Sequence, residues 1–330
     1  MRTQTYMIAA LAAGAALVPT AGAQSTSTSS GHAWPAKVIT IVVPAPAGGM
    51  TDIFGRLLAD GLAKELKQPV IVESKPGAGT NIANQFVARA QPDGYTLLIG
   101  ATPLAINPSV YSKLAYDPQR DLLPVRLLTR MPNVVVVVPS SPMGSIAELI
   151  NWARANPGKL NYASPGSGTS VHLSAELFKS MTATDILHIP YKSSAQTVLA
   201  VMSGEAHVVF ENIPLVLPQT KAGKLRALAV TSGVRSAAMP EVPTVTESGL
   251  AGYEVTAWVG LLAPAGTPAG VVRLLDETSQ RVLATTMLRD RFGDIGVAPA
   301  DEGPDAFRTL IRSETQKWAA VAKKANIRAD

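Results

Sequence analysis

The chain has 330 residues, 47% of them hydrophobic, with no cysteine and a formal net charge of +5. That length allows two α/β bodies, each with its own core, while the lack of thiols excludes disulfides, a thiol nucleophile and a cysteine-linked lipid anchor. Charged residues make up only 16% and are dispersed, with no basic run interleaved with aromatics, so nucleic acid is not expected as a partner.

Residues 1–23 read as a secretory signal. Arg2 supplies a positive start, residues 7–18 an apolar stretch too short to span a bilayer, and Ala21-Gly-Ala23 a small-residue cleavage site. Residues 24–33 are rich in Ser and Thr and read as a flexible leader. A secreted product is expected, periplasmic where the cell has an outer membrane.

The β-branched run 38–43 predicts a buried strand, stopped by Pro44 and Pro46. Gly48 and Gly49 then form a turn into a helix over 53–67, with Thr51 or Asp52 as its cap. Residues 69–73 predict a second strand, 75–81 a second Gly-rich turn, 82–90 a helix and 95–100 a third strand. Residues 101–108, with two prolines, read as a loop. This strand–turn–helix alternation is the mark of a parallel α/β sheet.

Separate extended runs are predicted at 125–128 and 134–138. The five valines of the second lack a polar face and require cover on both sides. Ser145 caps a helix through Arg154. A strand at 161–163 leads into a third Gly-rich turn, 164–170, and a helix over 171–181. Strands are expected at 186–190, 207–210 and 225–230, and a helix at 195–203 with Gly204 at its end. An apolar stretch at 255–263 precedes two amphipathic helices, 269–286 and 304–325. The expected organisation is two lobes. Residues 34–131 form the first part of lobe 1, 132–254 form lobe 2, and 255–330 return to lobe 1.

A strand that ends in a Gly-rich turn and opens a helix presents first-turn N–H groups to an anion. Gly and Ser also suit ordinary connections of this kind. No lysine follows Gly48 and Gly49, so this is no Walker A loop, and Gly77-Ala-Gly79-Thr-Asn-Ile82 departs from the dinucleotide fingerprint at Ile82. No G-x-S-x-G elbow occurs. His172 falls in the first turn after the third Gly-rich turn, where an imidazole could touch an anion or serve the fold, while His188 and His207 read as structural.

The sequence resembles a known family at Val43-Pro-Ala-Pro-Ala-Gly-Gly-Met-Thr-Asp52, Lys75-Pro-Gly-Ala-Gly79, Pro92-Asp-Gly-Tyr-Thr-Leu97, Asn161-Tyr-Ala-Ser-Pro-Gly-Ser-Gly-Thr169, Pro190-Tyr-Lys192 and Leu262-Ala-Pro-Ala-Gly-Thr-Pro268. It is similar to the substrate-binding proteins of tripartite tricarboxylate transporters, the Bug receptors, over nearly the whole chain after the leader. The resemblance implies a two-lobed, type II-like periplasmic-binding-protein fold of class α/β, with the ligand in the cleft between lobes. It implies no enzyme activity and no cofactor; no metal is expected either, because no His has a second His or a Cys four residues away, or a nearby carboxylate cluster. The expected role is to capture a small carboxylate (a di- or tricarboxylate or an aromatic one) and to deliver it, as a monomer, to the membrane permease subunits by lobe closure.

The expected site draws Ala47, Gly48, Gly49, Thr51 and Asp52 from one lobe, and Ser167, Gly168, Thr169, Ser170 and His172 from the other. Gly48, Gly49, Gly168 and Thr169 would offer N–H groups, and Thr51, Ser167 and Ser170 hydroxyls. Asp52 would act as a helix cap or water holder, with Thr102 and Asn212 as further lining. The chain departs from the family pattern at Thr80, Ala83, Ser193-Ser-Ala-Gln196, Ala200 and His207, which bears on the ligand's far end. Two other readings share the cleft: a secreted hydrolase of carboxylate esters that depends on His172, and a ligand sensor for a membrane kinase.

Overall fold

The computed structural model describes residues 34–324 and 327–329 together with Met1; the stretches read from the sequence as a signal and a leader otherwise lie outside the described residues. Strands run β1 (Ile39–Val43), β2 (Val70–Ser74), β3 (Thr96–Ala101), β4 (Leu122–Val137), β5 (Leu160–Ser164), β6 (Ile186–Pro190), β7 (Val208–Asn212), β8 (Arg226–Val230), β9 (Thr256–Pro264) and β10 (Ala298–Pro299). Helices run α1 (Met50–Leu66), α2 (Asn81–Ala88), α3 (Pro103–Val110), α4 (Ile146–Ala155), α5 (Ser170–Thr182), α6 (Ser194–Ser203), α7 (Ile213–Lys221), α8 (Ala269–Ala284), α9 (Thr286–Asp294) and α10 (Pro304–Lys324).

The strands follow the path β2-β1-β3-β9-β4-β7-β5-β6, with β8 and β10 also paired to β4. β1 is parallel to β2 and β3, and β5 is parallel to β6 and β7. β9 runs antiparallel to both β3 and β4, and β4 antiparallel to β7. The sheet is therefore mixed where the sequence predicts a parallel one. The two parallel trios are the strand–turn–helix units of the sequence, and the antiparallel strands between them are those that cross from half to half.

β4 runs through both halves. The two runs predicted at 125–128 and 134–138 form one strand of 16 residues, which pairs with β9 up to Pro132 and with β7 from Asn133. Pro124 and Pro132 sit within it where its register with β9 shifts or its partner changes. Prolines survive in strands at such points because no ladder N–H is required there. Val134 to Val137 are wholly buried. Val134 and Val136 join the core under α6 and α7, and Val135 and Val137 the core on the other face. Both faces are covered, as five valines without a polar partner require. At about 1.5–3 kcal/mol per buried side chain, this short segment contributes heavily to cohesion.

Two further differences have local causes. Residues 101–108, read as a loop, form most of α3. Pro103 stands in its first turn, where proline's missing N–H costs nothing, and Pro108 lies in its last turn. The helix expected over 269–286 stops at Thr285, whose extended backbone ends α8 and whose hydroxyl accepts from Leu288 N (3.3 Å) to start α9. Helix α7, with Pro214 and Pro218, has no counterpart in the sequence reading.

Candidate functional site

In each half the parallel trio points its C-terminal ends at one cavity of about 620 Å³. On one side the turns after β1, β2 and β3 line it. On the other the turns after β5 and β6 and the end of β7 do. This is where ligands sit in open α/β sheets, because the helices that follow the strands open there.

Helix α1 begins behind Gly49, and α5 behind Thr169, so two helix starts face the cavity. First-turn N–H groups have no partner inside a helix, and the aligned peptides favour negative charge there. Thr51, in the first turn of α1, is 4% exposed; its Oγ1 is buried in the cavity wall and makes no hydrogen bond among the described residues. Ser170 and Asn212 face the same space from the other half, both nearly buried, with Asn212 Nδ2 donating to Ser170 Oγ (3.4 Å). Much of the remaining wall is apolar, from Pro44, Ala45, Ala101, Pro103, Pro165 and Val171.

Of the residues expected from the sequence, Gly49, Thr51, Thr169, Ser170 and Asn212 line the cavity. The others stand behind it or outside it, for definite reasons. Ala47 and Gly48 are exposed and off the wall. The Gly48 N–H is spent on Asp52 Oδ2 (2.9 Å), and Asp52 also pairs with Arg56 (3.0 Å), so the Asp52 carboxylate braces the first turn of α1 from behind. Thr102 is wholly buried and staples β3 to β9, with Oγ1 accepting from Trp258 N (2.8 Å). Ser167 and Gly168 meet the other half directly. A Cβ added at Gly79 would stand 2.8 Å from the Ser167 carbonyl, and one at Gly168 would stand 2.8 Å from Asn107 Oδ1. These glycines, with φ of +57° and +78°, are where the turns of the two halves approach closest.

His172 lies behind the third Gly-rich turn. It is 5% exposed, its Nδ1 accepts from Gly168 N (3.3 Å), and its ring stacks on His188 at 4.4 Å. Burial, then repulsion from His188, pushes His172 down to about 3, and burial pushes His188 down to about 4. A neutral imidazole that accepts at Nδ1 carries its proton on Nε2, so His172 serves to hold the turn in shape. A Ser–His hydrogen bond is present, Ser164 Oγ to His188 Nε2 at 2.6 Å, yet Ser164 is wholly buried and neither residue lines the cavity.

The two imidazoles give stability a defined pH dependence. Unfolded, each takes a proton near pH 6.5. Folded, each resists until about pH 3–4. Between those limits the unfolded chain binds more protons, so the His contribution is complete above pH 6.5 and is lost as pH falls. The slope is at most about 1.4 kcal/mol per pH unit for each. One carboxyl, Glu211, works the other way and offsets one imidazole but not both. A melting temperature that declines from pH 6.5 to pH 4.5 is the expected outcome of a scan. A flat or rising profile would show that the pair is not buried neutral.

Sequence reasoning named the second Gly-rich turn but drew no site residue from it. Residues 76–80 line the cavity, and Ala78 and Thr80 hold left-handed φ values of 46° and 80°. For a β-branched residue that is a strained state. It is held from below: Asn84 Nδ2 donates to Thr80 Oγ1 (3.1 Å), and Asn107 Nδ2 to the Gly79 carbonyl (2.7 Å). Lys192, Ser193, Ser194 and Gln196, after β6, also line the cavity. Asn133 was missed outright. Wholly buried in β4, it donates to Ser174 Oγ (2.7 Å) and the Ser170 carbonyl (3.2 Å), and accepts from Asn212 Nδ2. Its only signal was a polar residue directly before the valine run.

Comparison with known proteins fits this geometry. The model of the tripartite tricarboxylate transporter family receptor matches residues 54–327. The solved structure of R. palustris Rpa4515 with adipate is 36% identical, covers 89% of this chain and 99% of its own, and superposes with a TM-score of 0.86. The structure of the periplasmic binding protein BugD is 33% identical, with coverages of 89% and 99% and a TM-score of 0.85. MatC (Rpa3494) from Rhodopseudomonas palustris with bound malate is 32% identical, with coverages of 87% and 99% and a TM-score of 0.81.

Proposed function

The chain belongs to the receptor family of tripartite tricarboxylate transporters, and from that premise we propose that it captures a small carboxylate in the cavity and delivers it to the membrane permease subunits of such a transporter. The family is one of substrate-binding receptors and not of enzymes. The single observation that carries the ligand class is Thr51 Oγ1, a buried hydroxyl on the cavity wall in the first turn of α1, unpartnered among the described residues. The Gly49 N–H already donates to the Pro46 carbonyl (3.0 Å), so one carboxylate would be held by first-turn N–H groups at Thr51, Thr169 and Ser170, with Gly49 and Asn212 as lining beside them. Two related receptors that hold adipate and malate support a carboxylate. The apolar middle of the wall favours a ligand with a hydrocarbon body between polar ends.

The working bodies in this reading are residues 34–131 with 255–330, and residues 132–254, joined where β4 and β9 cross. Ligand contacts made by both bodies stabilise the closed arrangement over the open one, and the permease reads the closed one. The place of work is the periplasm, which BugD's description as a periplasmic binding protein supports.

A thermal-shift screen of the protein without its first 23 residues tests this, using adipate, malate, citrate and terephthalate. A ligand that binds only the folded state at a hundredfold excess over its dissociation constant adds about 2.7 kcal/mol of stability. Thr51→Val then tests the site. It removes the hydroxyl at constant shape, so it should weaken binding of the ligand found about tenfold or more, the range for a hydrogen bond to a charged group. The ligand-free melting temperature should hold or rise, because an unsatisfied buried hydroxyl is lost. Unchanged affinity would place the carboxylate elsewhere.

A further inference from the structure

The proton inventory around Glu211 points to a second determinant of ligand choice. Glu211 ends β7 one residue before Asn212, is wholly buried and makes no ion pair among the described residues. Its Oε1 accepts from Asn212 N (3.0 Å) and Ser194 Oγ (3.2 Å). Its Oε2 lies 2.7 Å from Thr197 Oγ1, and that same hydroxyl lies 2.7 Å from the Ser194 carbonyl. A threonine hydroxyl owns one proton, and a carbonyl oxygen can only accept. An ionised carboxylate also only accepts, so with Glu211 charged one of the two short contacts would join two acceptor lone pairs without a proton. The inventory closes if Glu211 carries the proton: Oε2–H donates to Thr197 Oγ1, which donates to the Ser194 carbonyl.

The surroundings agree. On the face that Glu211 shares with Val209, the cover comes from Val198 and Val201 of α6 and Val216 and Leu217 of α7, and β4 sets Val134 opposite Glu211. Among the described residues, no other ionisable side chain hydrogen-bonds or ion-pairs with Glu211. Lys192 is exposed at the cavity and Lys221 is exposed at the end of α7. His172, His188 and Glu176 stand with Tyr162 on the sheet face that α5 covers. Burial pushes the Glu211 carboxyl up to about 7, although Asn212 N and Ser194 Oγ donate to it.

We propose that Glu211 is a positioning residue that makes anion capture proton-linked: as a neutral acid it holds Ser194 and Asn212 in the cavity wall, and its ionisation sets a negative charge directly behind them that repels an anionic ligand. The inference rests on the carboxylate reading above and deepens it. It predicts that binding a dianion takes up a proton above neutrality, and that the receptor selects against anions as pH rises.

The test uses the protein without its first 23 residues, with adipate and malate as probes. Carbon-13 spectra of labelled glutamate carboxyls, with Glu211 assigned by its loss in Glu211→Gln, should show it protonated at pH 6 in the ligand-free protein. Calorimetric titrations from pH 6 to pH 8.5 should show wild-type affinity falling about tenfold, the effect of one unscreened like charge nearby. Glu211→Gln keeps the hydrogen-bond pattern of the neutral acid, so its affinity should not vary with pH and should exceed wild type at pH 8.5 by that factor. A purely structural role would lower stability without changing the pH profile. A Glu211 ionised at pH 6, or pH profiles that are parallel in both proteins, overturns the proposal. If neither dicarboxylate, nor citrate or terephthalate, binds while Glu211 is protonated, the carboxylate reading fails instead.

Discussion

Replacing Asn133 by alanine should lower the unfolding free energy by about 3 kcal/mol and weaken carboxylate binding at least tenfold. The reason lies in what Asn133 holds together. One side chain, wholly buried in β4, donates to Ser174 Oγ and the Ser170 carbonyl in the first turns of α5 and accepts from Asn212 at the end of β7. Its removal leaves one Asn212 amide proton without its acceptor, at a cost of about 1–3 kcal/mol, and takes a donor from Ser174 Oγ, whose own proton stays on the Ser170 carbonyl (2.7 Å). It also frees Ser170 and Asn212, two of the residues that line the cavity. Denaturant unfolding and calorimetric titration of the same variant separate the two effects. A variant that loses stability but keeps its affinity would show that Asn133 supports the core and not the site.

Arg126→Ala should cost about 3–5 kcal/mol with no direct effect on the cavity. Arg126, in β4, is 4% exposed and donates from Nε to Asp276 Oδ1 in α8 (2.6 Å), tying the strand to a helix 150 residues later. The second contact, to Asp301 at 3.9 Å, reaches a carboxylate that is 93% exposed and adds little. Truncation leaves Asp276, itself only 18% exposed, without its counter-charge. A paired Arg126→Met, Asp276→Leu variant should recover most of the loss, because well-packed apolar groups can replace a buried ion pair. Urea unfolding with an unchanged slope measures both. A single variant that costs less than about 1 kcal/mol would mean the pair is effectively solvated.

Local chemistry made most elements legible. Ser145 caps α4 as read from the sequence, by accepting from the N–H three residues on, whereas Thr51 and Asp52, expected to cap the first helix, lie inside the first turn of α1 behind Gly49. The valine run demanded two covered faces and received them. Proline misled in α3, because its cost depends on whether the N–H it lacks would have been used, and Pro103 stands in the first turn where it would not.

The sequence by itself determined the strand–turn–helix units, the three Gly-rich turns, and the motifs shared with the receptor family. Those depend on contacts a few residues apart, so residue type and spacing carry them. Only the tertiary structure decided which atoms face the cavity. It turned the hydroxyl of Thr51 inward and spent the N–H groups of Gly48 and Gly168 on Asp52 and His172. It merged two short runs into β4, and brought Asn133 to Asn212 across 79 positions of chain. Burial and long-range hydrogen bonding belong to the packed molecule. They fix the orientation and proton state of polar groups, and sequence spacing holds no record of either.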